Sequence, residues 1–478
     1  MKKIIILLFI CLLGWSCKNG KSDSVMNQGD DKTEVQYGPA IDDLIKQYQD
    51  LDIFSGVVLV AEQGTPVYHK AFGMADREKN IKNTVNTLFD IGSMNKTFTS
   101  VVVKQLIKEG KLRYSDKLVD YVEGFEDPMV SDVTVEHLLN HESGFGDYHR
   151  DGYFDLPKSE RTLWKIVERV KSHELMFPPG EEGEYSNTGY VLLGAIIEKA
   201  SGTSYFDNVR ERIIKPLALE NTYIQDLDRF GERVASGYLY SPMGVLEKNE
   251  TLQDLPNPDG GFLSTTLDIM KFYRSYYYDN VLMDEEMKAK DPFFEAIREL
   301  APGKAPLMAG GFEGFNTAFY QVLSDDRSII VFANMDEPVA EQLATGILQI
   351  TRGNEPNAPK LPALQNIRKA YEEKGIDYVK QNFDELTTNY HPDDPKDWIL
   401  NDLGYAFIFA RNDVDSALEL FRLNTELFPE IGNAWDSYGE ALLKKGQEQE
   451  ALKAYQKALS INPDIPSAQE AVKKLSNE

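Results

Sequence analysis

A chain of 478 residues exceeds what one ordinary core accommodates and predicts two or three folding units, each burying a sizeable apolar interior. With 42% hydrophobic and 27% charged residues, the composition is that of a globular protein. The formal net charge of -26 repels phosphate backbones and anionic lipid surfaces, so nucleic acid is excluded as an expected partner.

Lys2 and Lys3 precede an apolar run over residues 4–13, too short to cross a bilayer but suited to the hydrophobic region of a secretory signal peptide. The run leads into Gly14-Trp15-Ser16-Cys17, which resembles a lipoprotein cleavage box. That resemblance implies that residues 1–17 are a signal peptide and that Cys17 becomes a lipidated mature N-terminus. The expected product is an exported bacterial cell-envelope lipoprotein, periplasmic or at the outer membrane, held to the membrane by its lipid. An ordinary cleaved signal with Cys17 incidental is the alternative. Both cysteines, Cys11 and Cys17, lie in this segment, so disulfides, cysteine metal sites and cysteine nucleophiles are excluded from the rest of the chain. Residues 18–38, polar and rich in Asn, Ser, Asp and Lys, predict a flexible tether.

A main domain is expected over residues 39–352. Ile41, Leu44, Ile45 and Tyr48 recur at helical spacing and predict an amphipathic helix ending near Asp50. Two β-rich runs, 55–61 and 65–71, flank Glu62-Gln63-Gly64 and predict a hairpin. A helix is predicted from Ser93 to Glu109, stopped by Gly110. Late strands at 317–323 and 328–333 join across Ser324-Asp325-Asp326-Arg327, and a helix follows over 339–350. Strands early and late with helices between predict an α+β fold: an antiparallel sheet flanked by helices, with an inserted helical subdomain and a cleft between the two.

Residues 353–395 are expected to form a linker, rich in Pro and Asn over 354–362, followed by packing helices. In residues 396–478, Ala417, Phe421 and Pro429 return 34 positions later as Ala451, Tyr455 and Pro463. With Trp435, Gly439 and Ala458, this pattern resembles the tetratricopeptide repeat, an all-α module whose small residues let paired helices approach closely. Two repeats are fewer than usually fold alone, so helices around 367–386 are expected to complete the stack. Such a module implies either a concave face for a protein partner or a prop for the main domain, and both stay open.

Ser93-Met94-Asn95-Lys96 is the only S-x-x-K in the chain. A spacing of three puts both side chains on one helical face, where Lys96 can accept or shuttle the Ser93 proton and the helix N-terminus favours negative charge. Alone, the motif also fits a helix cap followed by a surface lysine. The longer string Phe89-Asp90-Ile91-Gly92-Ser93-Met94-Asn95-Lys96-Thr97-Phe98 resembles the nucleophile segment of class C serine β-lactamases, D,D-peptidases and related esterases, the penicillin-binding protein superfamily. Further similarities follow in that family's order: Val135 through Gly144 resembles its H-L-L-x-H-x-S-G segment, Tyr185-Ser186-Asn187 its Y-x-N motif, and Gly260-Gly261 its later turn before a helix. The resemblance spans roughly residues 53–350.

Carried onto these positions, the resemblance implies that Ser93 attacks and is acylated, that Tyr185 near Lys96 is the general base, and that Asn187 bonds the substrate or Lys96. A phenol ordinarily keeps its proton well above neutral pH, so this base needs a cationic neighbour. The second Y-x-N, Tyr278-Asp279-Asn280, lies in an aromatic helix and is expected to serve packing. Oxyanion stabilisation is assigned to the backbone N–H groups of Ser93 and of the Gly310-Gly311 pair, Gly311 in particular. The family's third motif opens with Lys or His and then Thr, Ser or Gly; here Met308-Ala309 stands in its place, with Lys304 the nearby alternative cation. A poor β-lactamase and a poor D,D-carboxypeptidase are therefore expected.

His137, His141 and His149 invite a metal site, with the first two spaced to share a helix face. The chain has no H-E-x-x-H, and serine chemistry needs no metal, so neither metal nor other cofactor is expected. The favoured function is a serine hydrolase of esters, amides or D-amino-acid peptides, with a small-molecule or peptide acyl substrate. A binding protein that keeps the fold without turnover, and a repeat-domain scaffold, are the alternatives.

Overall fold

The structure is a computed structural model and describes residues 36–150, 152–225, 227–249, 255–301, 303–336, 338–389 and 395–476. The leader and lipidated Cys17 inferred from sequence lie outside the described residues. Among the described residues no helix is long and apolar enough to cross a membrane.

The chain divides into two units. The first takes in the described residues up to Tyr238 and Lys248–Ala358; the second takes Leu239–Glu247 and Pro359 onward. The first unit has the expected α+β architecture. Helix α1 (Gly38–Asp50) opens with Pro39 in its first turn, where a missing N–H costs nothing, and buries Ile41, Leu44, Ile45 and Tyr48. Strands β1 (Gly56–Glu62) and β2 (Thr65–Phe72) form the early hairpin. The sheet is completed late in the unit by β3 (Leu307–Phe312), β4 (Phe315–Val322) and β5 (Arg327–Ala333), in the order β2-β1-β5-β4-β3 with every pair antiparallel.

All eight residues of β4 are buried, because helices cover both faces of the sheet. On one face Phe319 stacks on Tyr273 of the helix Thr266–Tyr278, with centroids 4.3 Å apart. Its neighbour Tyr320 faces the other way, where its hydroxyl meets Thr345 Oγ1 at 3.1 Å on the helix Val339–Thr351. Strand β3 is the sheet edge, and its residues Gly310 and Gly311 lie against the backbone of Ile91, Gly92 and Ser93.

The second unit is a stack of helices. The helices Ala363–Lys374 and Ile376–Leu386 share a core with Asp397–Arg411 and Val414–Leu427 through Ile367, Val379, Phe383, Leu400, Leu403 and Phe421, as expected. Gly439 lies against the ring of Tyr455, where a Cβ would fall 3.0 Å from Cε1; this is the close helix approach that the repeat pattern requires.

Candidate active site

Ser93 sits in a tight turn that lies against β3. The turn is not the start of the α-helix, as the sequence pattern predicts, but a 3-10 segment Gly92–Met94 that leads into α2 (Asn95–Lys108). Gly92 has φ +49°, a left-handed backbone that interrupts regular helix geometry. The turn hangs from a short strand pair, Phe89–Asp90 with Leu263–Ser264, and Gly92 N–H donates to Asp90 Oδ1 at 2.8 Å. Gly110, with φ +71°, ends the helix region as predicted.

Lys96 is 6% exposed, and its ammonium donates to three acceptors: Ser93 Oγ at 3.0 Å, Asn187 Oδ1 at 2.7 Å and the Asp259 carbonyl at 2.9 Å. An ammonium has three donors, so the lysine is fully satisfied without a carboxylate in contact. The Asp259 carbonyl is held there because its turn is tied to α2, with Asn95 Nδ2 donating to the Asn257 carbonyl and Thr99 Oγ1 to the Pro258 carbonyl, both at 2.6 Å.

Tyr185 reaches Ser93 from the helical subdomain, with its hydroxyl 2.6 Å from Ser93 Oγ and its ring 4.9 Å from Lys96 Nζ. Ser186 next to it caps the helix Asn187–Ser201 by accepting from Gly189 N–H, which fixes Asn187 at the first helical position. Ser93, Lys96, Tyr185 and Asn187, spread over 95 residues of sequence, thus form one hydrogen-bonded cluster.

Gly310 and Gly311 lie on β3 against this turn. A Cβ on Gly310 would fall 2.8 Å from Ser93 N, and a Cβ on Gly92 would fall 2.7 Å from Gly311 N. Only glycines permit that approach, which brings the backbone nitrogens of Ser93 and Gly311 to the same turn. Met308 and Ala309 occupy β3 just before, part-buried, opposite Phe319 and Ala318. Tyr278 of the second Y-x-N is remote from this chemistry and accepts from Gln321 Nε2 at 2.9 Å.

The three histidines separate. His137 closes a capping box with Thr134 at the start of the helix Val135–Leu139. That helix ends before His141, which has φ +60°, so the two do not share a helix face as predicted. His141 Nδ1 accepts from Ser186 N–H at 3.0 Å, and burial, aided by the Lys96 charge, pushes its pKa down to about 3. Among the described residues no group of three or more His, Cys, Asp or Glu is placed to hold a metal.

Sequence reasoning missed Asp147. Its carboxylate accepts from Asn187 Nδ2 at 2.5 Å and from the N–H and Nδ1 of His149 at 2.9 and 2.8 Å. Burial works to raise its pKa, but the hydrogen bonds and charge of His149, with the smaller help of the Asn187 hydrogen bond, outweigh it and bring it to about 2, so the group is ionised. An acidic residue two positions before a histidine signals a local turn at most; only the fold brings the pair to Asn187.

The beta-lactamase family profile matches residues 41–350, and the tetratricopeptide repeat profile matches residues 432–465. A penicillin-binding protein of Bacillus subtilis (strain 168) is 31% identical over 318 residues, which cover 59% of this chain and 69% of that protein. A teichoic acid D-alanine hydrolase of Staphylococcus aureus is 29% identical over 297 residues, 60% of this chain and 72% of that protein. Among solved structures, an octameric penicillin-binding protein homologue from Pyrococcus abyssi is similar with a TM-score of 0.60 and 25% identity, over 71% of this chain and 82% of that one.

Proposed function

The chain belongs to the beta-lactamase family, and from that premise we propose that it is a serine hydrolase forming an acyl-enzyme at Ser93. The observation that carries this is the placement of Ser93 Oγ between Lys96 Nζ at 3.0 Å and the Tyr185 hydroxyl at 2.6 Å. Tyr185, as phenolate beside the Lys96 ammonium, takes the Ser93 proton while Oγ bonds the substrate carbonyl carbon. The resulting oxyanion is held by the N–H groups of Ser93 and Gly311. As the intermediate collapses, the bond to the leaving group breaks and Tyr185 returns the proton to that group. Water then attacks the acyl carbon as Tyr185 accepts its proton, the bond to Ser93 Oγ breaks, and Tyr185 returns the proton to Oγ, which regenerates Ser93 and releases the acid.

The substrate is an ester, amide or D-amino-acid peptide. The name of the Staphylococcus aureus relative, a hydrolase of D-alanine on teichoic acid, supports an acyl group of that kind. Delivery to the cell envelope by a lipid on Cys17 belongs to the same proposal, supported by the short apolar run before that residue. The repeats at the C-terminus would serve a protein partner there.

Fluorophosphonate labelling of the purified protein followed by peptide mass spectrometry tests the central claim. Adduct on Ser93, absent from Ser93→Ala, is the expected result; a folded protein that takes no adduct at Ser93 would overturn it.

A further inference from the structure

We infer that Asp147, braced by His149, is a positioning residue for hydrolysis: it fixes which way round the Asn187 amide is held and so keeps an acceptor on Lys96. The inference rests on Ser93 and Lys96 acting as proposed above.

An amide side chain has two nearly isosteric ends, an oxygen that accepts and an NH2 that donates. Left to itself it can turn over, and the turned amide would present its NH2 to an ammonium, removing an acceptor from a buried charge. Asn187 lies between Lys96 Nζ, 2.7 Å from its Oδ1, and Asp147 Oδ2, 2.5 Å from its Nδ2. An ammonium can only donate and an ionised carboxylate can only accept, so this pair of neighbours permits one orientation of the amide. The turned form would face two like-natured groups at once. Lys96, held in this way, keeps its hydrogen bond to Ser93.

Asp147 is itself fixed. Its other oxygen accepts from both the backbone N–H and the Nδ1–H of His149, since a carboxylate cannot donate and Nδ1 must carry the proton. The imidazole in turn stacks on Phe154, with centroids 5.3 Å apart and planes 2° from parallel. The Phe154 backbone is anchored by buried Arg161, whose guanidinium donates to the carbonyls of Phe154 and Leu156. His149 and Phe154 therefore brace one carboxylate, and through it the Asn187 amide. Asp147 acts on Lys96 through the Asn187 amide, so the role is positioning.

The test uses the full purified chain and three readouts: the rate of fluorophosphonate labelling at Ser93, kcat and KM for a short-chain nitrophenyl ester, and thermal stability. Asp147→Ala is expected to slow labelling and lower kcat about tenfold or more, with KM within about twofold. Asp147→Asn, which keeps the shape but offers one oxygen where two are needed, is expected to fall between. The discriminating variant is Asp147→Ala combined with Asn187→Asp. A carboxylate at 187 has no wrong way round, so it accepts from Lys96 unaided and should recover much of the lost labelling rate. Unchanged labelling in folded Asp147→Ala and Asp147→Asn, a change in KM alone, or no recovery in the double variant would each overturn the inference. A parent protein that takes no label at Ser93 would instead sink the serine hydrolase proposal.

Discussion

The imidazole of His141 stacks on the ring of Tyr185, with centroids 4.7 Å apart and planes 26° from parallel. Tyr185 is the most solvent-exposed member of the hydrogen-bonded cluster, at 47%, and it is held by this platform, by Ser93 and by the Lys96 ammonium over its ring. The platform works only while the imidazole is neutral, because its Nδ1 must accept from Ser186 N–H.

A dependence of stability on pH follows. The folded pKa of His141 is depressed to about 3, against an ordinary value of about 6.5 in the unfolded chain. The unfolded state therefore binds more protons between these values, so stability is complete above about pH 6.5 and is lost as pH falls toward 3, at up to about 1.4 kcal/mol per pH unit. In thermal melts from pH 7 to 4, His141→Asn should be less stable than the parent at pH 7 and should lose less on acidification. Asn also suits the left-handed backbone at this position. Parallel pH curves for the two proteins would contradict the assignment.

Removal of the reactive groups should separate activity from folding. Ser93→Ala and Lys96→Ala are each expected to abolish ester hydrolysis, and Tyr185→Phe to lower kcat by about 100- to 10,000-fold, the range for a lost general base. Because Tyr185 is half-exposed, its change to Phe should alter stability by less than about 0.5 kcal/mol. Steady-state kinetics with far-UV circular dichroism checks both; full turnover by folded Ser93→Ala would end the argument.

The close approach of β3 to the Ser93 turn predicts a different outcome for Gly310→Ala. The new methyl would press on Ser93 N and the Ile91 carbonyl, both backbone atoms that cannot rotate away. Overpacking of this kind costs about 1–3 kcal/mol, and the displaced turn should lower kcat as well. A denaturant melt and kinetics on the same preparation would reveal whether the two losses occur together, and wild-type values in both would refute the geometry.

The parts of this fold legible in the sequence are those with local signals. Alternation and apolar runs marked β1, β2, β4 and β5 to within two residues at each end, and helical spacing of Ile41, Leu44, Ile45 and Tyr48 marked α1. The two- and three-residue strands, such as Leu263–Ser264, are too short to carry any period. Assignment of Leu239–Glu247 to the second unit depends on long-range packing, including Gln365 Nε2 donating to the Ser241 carbonyl at 2.8 Å, and no local pattern announces it. At the site, motif strings located Ser93, Lys96, Tyr185 and Asn187, which the fold brings together. Asp147 stayed hidden because its partner is 40 positions away and its own neighbourhood reads as a turn.

In members of this family that bind β-lactams or D-alanyl peptides, the Lys or His and the following hydroxyl residue help to hold the substrate carboxylate. Here the equivalent positions on β3 carry Met308 and Ala309. Side chains alternate along a strand, so Met308 shares a face with Gly310, the face turned to Ser93, and its part-buried side chain packs against the apolar core. A charge-assisted hydrogen bond to the carboxylate is worth about 1.5–3 kcal/mol, so its loss corresponds to about one to two orders of magnitude in kcat/KM. Lys304 is exposed in the loop before β3 and is the remaining cation of that segment. The protein should therefore hydrolyse a short-chain nitrophenyl ester far better than a chromogenic cephalosporin or a D-alanyl-D-alanine peptide. Met308→Lys with Ala309→Thr should raise cephalosporin turnover by about tenfold or more while leaving the ester rate within a few-fold. Lys304→Ala should change neither, whereas a selective loss of cephalosporin turnover in that variant would make Lys304 the carboxylate ligand. Efficient cephalosporin hydrolysis by the parent would defeat the prediction, since the carboxylate would then be recognised without the side chains that this strand has lost.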